Sequence, residues 1–407
     1  MQELWLLVVA VVFVAINGLT MLAWGVQMGY KMKPTALAYF IASVANLITG
    51  NVIPLSGQSS ILTLSNYMKN ANERVAALLI ATVIMVPLGL FGAVSAVVDF
   101  AGPAVIFGIM AGVGLMIAGI SIDMLMQEKR TGLVSLIAAL ITWWQTVGNP
   151  NQLVYVIAVS VTVATLDFLL LQTDPETGVR GRRVDFKNLA KKNGFHSNNL
   201  SDMTEDDENN NPFTREYWQG FKITRPRFTP RSFYWSLALV SISLGTIITF
   251  GNVTANMAGV PNPVDTLTVI NGLADIPTVL FGGMPIEVII SATANSPWPV
   301  LAGVLMMSLL GFLLLFGLIK KLVKFVPAQS LVGFLFIIGF FSTFRPNLVN
   351  GFNLALVSDG VTTTLHTGIT TQIAVSMLVT VATKNPGMGI IVGIAVYFVG
   401  AAFGLPM

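Results

Sequence analysis

The stretch LFGGMPIEVIISATANS, residues 280–296, decides the fold prediction. Two glycines and Pro285 interrupt an apolar run, and one carboxylate, Glu287, follows two residues after the proline. Inside a membrane, non-helical backbone is tolerated only where it is buried in protein or lines a cavity. An acidic side chain at such a break is a candidate functional group. In a membrane protein, this stretch would be a broken crossing that carries a functional site.

The composition is that of an integral membrane protein. The chain has 407 residues, of which 54% are hydrophobic and 10% are charged, against about 25% charged in an average soluble protein. There is no cysteine, which excludes disulfides and thiolate chemistry. The N-terminal stretch MQELWLLVVAVVFVA lacks the basic region and cleavage site of a signal peptide. It is therefore predicted to be the first membrane span.

Apolar stretches of a length suited to membrane crossing predict an all-α polytopic membrane protein with 14 transmembrane segments. Segments 3 and 10 are broken and contain short extended stretches; counts of 12 or 13 stay open because such segments are easily miscounted. The segments are 4–28, 34–50, 51–68, 74–98, 103–126, 131–146, 152–171, 232–256, 263–281, 280–296, 298–319, 326–344, 363–383 and 386–404.

A long hydrophilic segment, 172–231, separates the two sets of seven spans. It holds 11 of the 22 basic and 9 of the 19 acidic residues. Its part DMTEDDENNN, 202–211, has the composition of a disordered segment, and the following TREYWQGFKITRPRF is suited to the membrane interface. The predicted organisation is a first repeat at 1–171, this partly disordered loop at 172–231, and a second repeat at 232–407.

The two halves resemble each other in sequence. LFGAVSAVVDFAGPAVIFG (90–108) and LFGLIKKLVKFVPAQSLVG (315–333) share two Phe and two Gly at a constant offset of 225 residues. The broken stretch 50–65, GNVIPLSGQSSILTLS, then corresponds to 282–296. Because seven spans is an odd number, the copies should run oppositely through the bilayer, as in many secondary transporters. The alternative is a chance likeness between apolar segments of similar composition.

The basic residues predict an orientation. If the gaps between spans are numbered, 21 of the 22 Lys and Arg fall in odd gaps, and Arg345 alone falls in an even one. The positive-inside rule then places the odd gaps and the 172–231 loop in the cytoplasm of a cell-membrane protein, with both termini outside.

Several short motifs occur in a characteristic order: IPLSGQSS in segment 3, GNVTA at 251–255, NGL at 271–273, FGGMP at 281–285 and FVPAQSLVGF at 325–334. In this order the chain resembles the nucleobase–cation symporter-2 family, the xanthine/uracil permeases. The resemblance implies 14 segments in two inverted repeats, arranged as a core and a gate domain. It also implies uptake of a purine or pyrimidine base coupled to a cation, with short extended stretches flanking the substrate.

The chain departs from the family pattern at three points. Aligning GNVTA puts Ile248 where the family usually has an acid, and Asn252 at a polar site position. The acid of the family's tenth segment falls at Ser291, whereas this chain has Glu287 four residues earlier. The family's termini are usually cytoplasmic, opposite to the charge pattern here.

Segment 10 supplies the principal candidates, Glu287, Ser291 and Thr293. If a helix begins near Pro285, Glu287 and Ser291 are four residues apart and share a face. Glu287 is then expected to bind an N–H edge of a base or to carry the coupling proton. The alternative role is that of an acid at the first turn of a half-helix.

Other segments supply further substrate-binding candidates. Ser56, Gln58 and Ser59 lie in segment 3, where an amide can both donate and accept; hydrogen bonding between helices is the alternative role. Asn252 in segment 8 and Asn17 in segment 1 are added from the family resemblance. Asp275 is expected mainly to serve a helix end, although it could pair with or ligate a cation. Glu287 is expected to be the only acid at the centre, and Asp123 and Asp167 are expected to be solvated.

The sequence thus predicts a non-enzymatic, alternating-access transporter of a nucleobase or similar heterocycle, coupled to H⁺ or Na⁺. An anion carrier of the same fold, of sulfate or bicarbonate type, is an alternative, as is a channel or a transporter-like sensor. Phosphate-loop and dinucleotide motifs are absent from the sequence, as are clusters with metal-ligand spacing. No cofactor, metal or nucleic-acid partner is expected, the lipid bilayer is an expected partner, and a homodimer stays open.

Overall fold

The computed structural model describes residues 2–27, 30–57, 68, 70–172, 221–322, 325–358 and 363–403. It is built from long apolar helices. Within these ranges six helical stretches are long and apolar enough to cross a membrane, and three apolar helices of 10–17 residues accompany them. Large apolar side chains such as Ile48, Phe91 and Trp144 are 79%, 85% and 83% exposed, as expected of a surface that faces lipid. The chain is a multi-pass helical membrane protein; the count of 14 crossings stays a prediction.

Within the described residues, the first half contains six helices and one short strand. They are α1 (Gln2–Gln27), α2 (Met32–Thr49), β1 (Leu55–Ser56), α3 (Ala71–Leu90), α4 (Ala93–Gln127), α5 (Lys129–Gln145) and α6 (Gln152–Leu166), which continues as a π-helical turn (Asp167–Leu171). The Asn70 side chain caps the N-terminus of α3 by accepting from the Asn72 N–H. This N–H is one of the donors that have no partner within the helix. Helix α4 bends at Gly102, whose φ is 73°, a value suited to glycine; Pro103 follows directly.

The second half begins after the hydrophilic segment. Its elements are α7 (Pro230–Ala258), α8 (Val264–Leu280), β2 (Glu287–Val288), a 3₁₀ turn (Ala292–Asn295), α9 (Pro299–Leu315), α10 (Ile319–Leu322), a 3₁₀ turn (Ala328–Leu331), α11 (Val332–Phe336), a π-helical stretch (Ile337–Phe344), α12 (Arg345–Ala355), β3 (Leu356–Ser358), β4 (Thr363–Leu365), α13 (Thr367–Thr383) and α14 (Pro386–Ala402). The predicted span 326–344 is therefore longer than expected, and the predicted span 363–383 begins with a strand that pairs with β3.

The order of elements in the first half recurs in the second. Helix α2 packs against α9, and its counterpart α8 packs against α3. Strands β1 and β2 pair antiparallel, with Leu55 opposite Val288 and Ser56 opposite Glu287. The same two residue pairs result when the strands β1 and β2 change places. This is what a two-fold axis that relates the two strands requires. Antiparallel counterparts agree with inverted copies, while the domain boundaries at 171 and 232 stay a prediction.

Small residues bring the helices close together. A Cβ at Gly108 of α4 would lie 2.6 Å from the Ile373 carbonyl oxygen of α13, and one at Gly112 would lie 2.8 Å from the Met377 oxygen. Backbones that approach this closely are typical of helix packing in membranes, where small residues line the contact. This packing leaves the broken segments enclosed by helices α1, α2, α7 and α8.

Candidate functional site

The two broken segments meet inside the protein. Besides the β1–β2 pairing, the Ile289 N–H donates to the Pro54 carbonyl at 3.2 Å. Ser56 is 1% exposed, and Glu287 and Ser291 are fully buried. We refer to residues 51–57 and 283–291 together as the crossing. It is extended backbone enclosed by protein, the condition under which a membrane protein tolerates such backbone.

Helix α2 holds the first strand of the crossing through side chains. The Tyr39 hydroxyl accepts from the Gly57 N–H at 2.9 Å and shares a 2.8 Å hydrogen bond with the Ser56 hydroxyl. The Asn46 amide donates to the Ile53 carbonyl at 2.7 Å. These contacts satisfy backbone groups that a helix would have paired internally, and an unpaired buried group would be costly.

The second strand is held from three helices. Thr35 of α2 accepts from the Met284 N–H at 2.8 Å, and Asp275 of α8 accepts from the Ile286 N–H at 2.9 Å. Thr254 of α7 donates to the Ile289 carbonyl at 3.0 Å. Neighbouring side chains thus replace the hydrogen bonds that the break at Pro285 removes.

Glu287 lies at the centre of the crossing. Its Oε1 accepts from the Ser243 hydroxyl of α7 at 2.5 Å, a distance typical of a hydroxyl bound to a charged or strongly polar acceptor. Asp275 is close enough to interact electrostatically with Glu287. The site therefore combines two buried carboxyl groups with hydroxyl donors, a set suited to binding N–H groups, a proton or a cation.

The expectation that Glu287 is the only central acid is wrong. Asp275 is 3% exposed and lies inside α8, five residues before the helix ends. Its second carboxyl oxygen accepts from the Asn271 amide at 3.0 Å. It therefore supports the crossing instead of serving the helix end, because the backbone after Pro285 needs an acceptor there.

The expectation that Glu287 and Ser291 share a helical face is also wrong. Glu287 is in a strand, and Ser291 is extended at φ −134° and ψ 131°. Four residues of strand span about 13 Å, so the two side chains are separated along the crossing. Ser291 instead caps the 3₁₀ turn by accepting from the Thr293 N–H, and the two hydroxyls are 2.7 Å apart.

The remaining site candidates differ in position. Helix α7 presents Ser243 and Thr254 to the crossing, whereas Asn252 is about 180° around the helix from Ser243 and half-buried. Asn17 is next to Gly18 of α1, where an added Cβ would lie 3.1 Å from the Ser56 hydroxyl. Gln58 and Ser59 lie outside the described residues. The binding roles of all these side chains stay predictions.

Tyr39 and Ser243 were not predicted as site residues, and Asp275 was predicted to have a different role. The available signal was their position: each polar side chain lies well inside a predicted span, where water cannot satisfy it. A further correction concerns Asp167, which was expected to be solvated. Its side chain is 11% exposed and pairs with Arg130 at 3.0 Å, while Gln172 donates to its other oxygen at 2.9 Å.

No group of three or more His, Asp or Glu side chains that could hold a metal ion occurs in the described ranges. Two cavities lie elsewhere. One, of about 520 Å³, is lined by Leu47 and residues 297–301, and the other, of about 600 Å³, lies between α5 and α6. Both are apolar and open to the outside, as expected of grooves on a lipid-facing surface.

Comparisons with known proteins give distant likenesses only. No family model and no curated protein matches the chain. Among solved structures, the transmembrane domain of a cyanobacterium bicarbonate transporter, BicA, is 14% identical with a TM-score of 0.46, covering 96% of this chain and 98% of that one. The structure of SLC26A9 is 14% identical with a TM-score of 0.49, covering 98% of this chain and 65% of that one. The nucleobase–cation symporter-2 resemblance stays a prediction from the motifs.

Proposed function

We propose that this protein is a secondary active transporter whose substrate binds at the crossing, with Glu287 as the central binding and coupling residue. The observation that carries the proposal is the fully buried carboxyl of Glu287, which belongs to one of the two paired strands. A buried acid on broken backbone at the meeting point of two similar halves is the arrangement in which transporters bind substrates and coupling ions.

The polar groups favour a small neutral heterocycle with N–H donors. Carboxyl oxygens accept hydrogen bonds, and the hydroxyls of Ser56 and Ser243 donate or accept. A purine or pyrimidine base offers both kinds of group on a flat apolar ring. The coupling ion would be H⁺, carried by Glu287, or Na⁺.

An anion carrier is the alternative. Two buried carboxyl groups would repel an anion unless both are protonated, so coupled anion uptake would require proton entry at the same site. A channel would equilibrate substrate without accumulating it, and a sensor would bind without transport.

The first test is uptake into proteoliposomes that contain the purified protein. Labelled uracil, xanthine and adenine form one panel. Sulfate, bicarbonate and ascorbate, which are anions at neutral pH, form the other. We expect one heterocycle to accumulate under an inward H⁺ or Na⁺ gradient and to leak out when an ionophore removes the gradient. Accumulation of an anion alone, equilibration without accumulation, or no uptake from either panel would each contradict the proposal.

The second test uses Glu287→Gln, with Glu73→Gln on the first turn of α3 as a matched control. The glutamine keeps the size and one acceptor but cannot ionise, so uptake should fall strongly or lose its pH dependence. The control should transport like the unmodified protein. Unchanged uptake together with an unchanged pH profile in Glu287→Gln would remove this residue from the mechanism.

A further inference from the structure

The segment FKITRPRFT, residues 221–229, forms an extended strap before α7. Its Thr224 N–H donates to the Leu280 carbonyl at 2.8 Å, and its Arg227 N–H donates to the Asn72 carbonyl at 3.0 Å. Phe221 packs edge-on against Phe281, with ring centroids 5.7 Å apart. The strap thus lies across the end of α8 and the start of α3, which fixes its position on the protein.

The strap is at the boundary of the membrane. Helix α7 starts at Pro230 directly after it, and Phe233 and Tyr234 in the first turn are 54% and 67% exposed. Aromatic side chains at the end of a membrane helix are typical of the headgroup region. The strap therefore runs where lipid headgroups meet the protein.

The exposed side chains of the strap are of two kinds. Lys222, Arg225 and Arg227 are exposed, and there is no acid between residues 221 and 231. Two apolar side chains, Ile223 and Phe228, are 65% and 66% exposed. Basic and apolar side chains thus alternate along a backbone that is held in place. Together they form an amphipathic surface and not a purely hydrophilic one.

Further basic residues lie at the same end of the helices. Lys31 directly precedes α2, and its N–H donates to the Gly282 carbonyl at 3.0 Å. Arg74 lies over the Tyr30 ring at 4.3 Å. Glu73 on the first turn of α3 is the acid nearest in sequence to this group. Among these described residues, the basic side chains therefore outnumber the acidic one.

We propose that the strap binds the headgroups of anionic phospholipids. Guanidinium groups bind phosphate in a bidentate manner, and basic segments beside a membrane helix are attracted to anionic lipid. The exposed Ile223 and Phe228 would enter the boundary between headgroups and acyl chains. The acidic segment 202–208 of the same chain is the competing occupant, but binding acidic side chains would leave these two apolar groups in water.

The absence of cysteine from the chain makes a local measurement possible. Ile223→Cys is labelled with a fluorophore, and the full chain is reconstituted in nanodiscs that contain brominated phosphatidylglycerol or brominated phosphatidylcholine. Bromine quenches only at short range, so the quenching reports which lipid is enriched at the strap. The measurement is independent of transport, and the surface does not rest on the proposed function.

The test variant is Lys222→Gln/Arg225→Gln/Arg227→Gln, made in the labelled background. Its matched control, Lys129→Gln/Lys321→Gln/Lys384→Gln, removes three exposed charges from other sites. We expect brominated phosphatidylglycerol to be enriched over phosphatidylcholine in the parent and the control. Enrichment should fall about fivefold for each strap cation removed and should weaken at high salt.

Two further arms identify the source of the negative charge. Free glycerol phosphate at millimolar concentration should leave the quenching unchanged if an anchored headgroup is the ligand, and displacement by it would overturn the lipid assignment. Deleting 202–208 should leave the enrichment unchanged or raise it. Equal quenching by both lipids in the parent, or equal loss in the control variant, would refute the proposal.

Discussion

Asp275 provides the sharpest test of how the crossing is held. Its two carboxyl oxygens accept from the Ile286 N–H at 2.9 Å and from the Asn271 amide at 3.0 Å. Asp275→Ala would leave both of these buried donors without an acceptor. At about 1–3 kcal/mol for each unsatisfied donor, the free energy of unfolding should fall by about 2–6 kcal/mol.

Asp275→Asn separates the hydrogen bonds from the charge. The new side-chain carbonyl can still accept from the Ile286 N–H. The Asn271 Oδ1 is buried without a hydrogen-bond partner in the described structure, so a rotation of that amide would let it accept from the new amide at 275. Both bonds are then restored, and stability should stay within about 1 kcal/mol of the parent.

The free energy of unfolding of each variant can be measured on the purified protein in mixed micelles. A denaturing detergent unfolds the protein, and tryptophan fluorescence follows the transition. The expected order of stability is parent, then Asp275→Asn close behind, then Asp275→Ala well below. If the alanine variant were as stable as the parent, Asp275 would not support the crossing. If the asparagine variant were as unstable as the alanine variant, the charge and not the hydrogen bonds would be the stabilising feature.

Three further predictions follow from local contacts. Gly114→Ala should destabilise by about 1–3 kcal/mol, because its Cβ would lie 2.7 Å from the Gly339 oxygen; Gly119→Ala, with no atom within 4 Å, is the control and should be neutral. A double-mutant cycle on the Arg130–Asp167 pair, in which only the arginine is exposed, should give a coupling of about 1 kcal/mol that decreases with salt; no coupling would show that Gln172 alone holds Asp167. Ser243→Ala removes a donor to Glu287, so loss of about 1.5–3 kcal/mol should lower uptake about 10–150-fold, and unchanged uptake would exclude a role for this bond in transport.

Much of the fold was predictable because lipid imposes simple rules. Helix positions follow from apolar length, and the breaks at Pro54 and Pro285 follow from residues that interrupt an apolar run. The correspondence of the two breaks also followed, because the repeat in 90–108 and 315–333 set which segments match; their direct pairing as strands was not predicted. Strand register was not predictable, since two residues of strand carry no alternation pattern to fix it.

The site was less predictable than the fold. The helical interpretation of 285–291 failed because a helix start after proline and a short strand look alike in a stretch of Ile and Val. Tyr39 and Ser243 escaped notice because single hydroxyls are common in membrane helices as packing contacts. Only their partners distinguish these two residues from ordinary packing contacts. Tyr39 binds the backbone of the broken segment and Ser243 binds the Glu287 carboxyl, and both partners are distant in sequence.

The anchoring pattern limits which parts of the protein can move during the proposed transport cycle. Helix α2 contacts both strands of the crossing, through Asn46 to the first and Thr35 to the second, and α8 holds the second through Asp275. Helices α2 and α8 occupy equivalent places in the two halves. The first broken segment is therefore anchored by the helix of its own half, and the second is anchored by both helices. Breaking three or four buried hydrogen bonds would cost several kcal/mol. Helix α7 also holds the crossing, through Thr254 and Ser243. The crossing should therefore move together with α2, α7 and α8 as one rigid body, and access to Glu287 must change through displacement of the other helices that cover it.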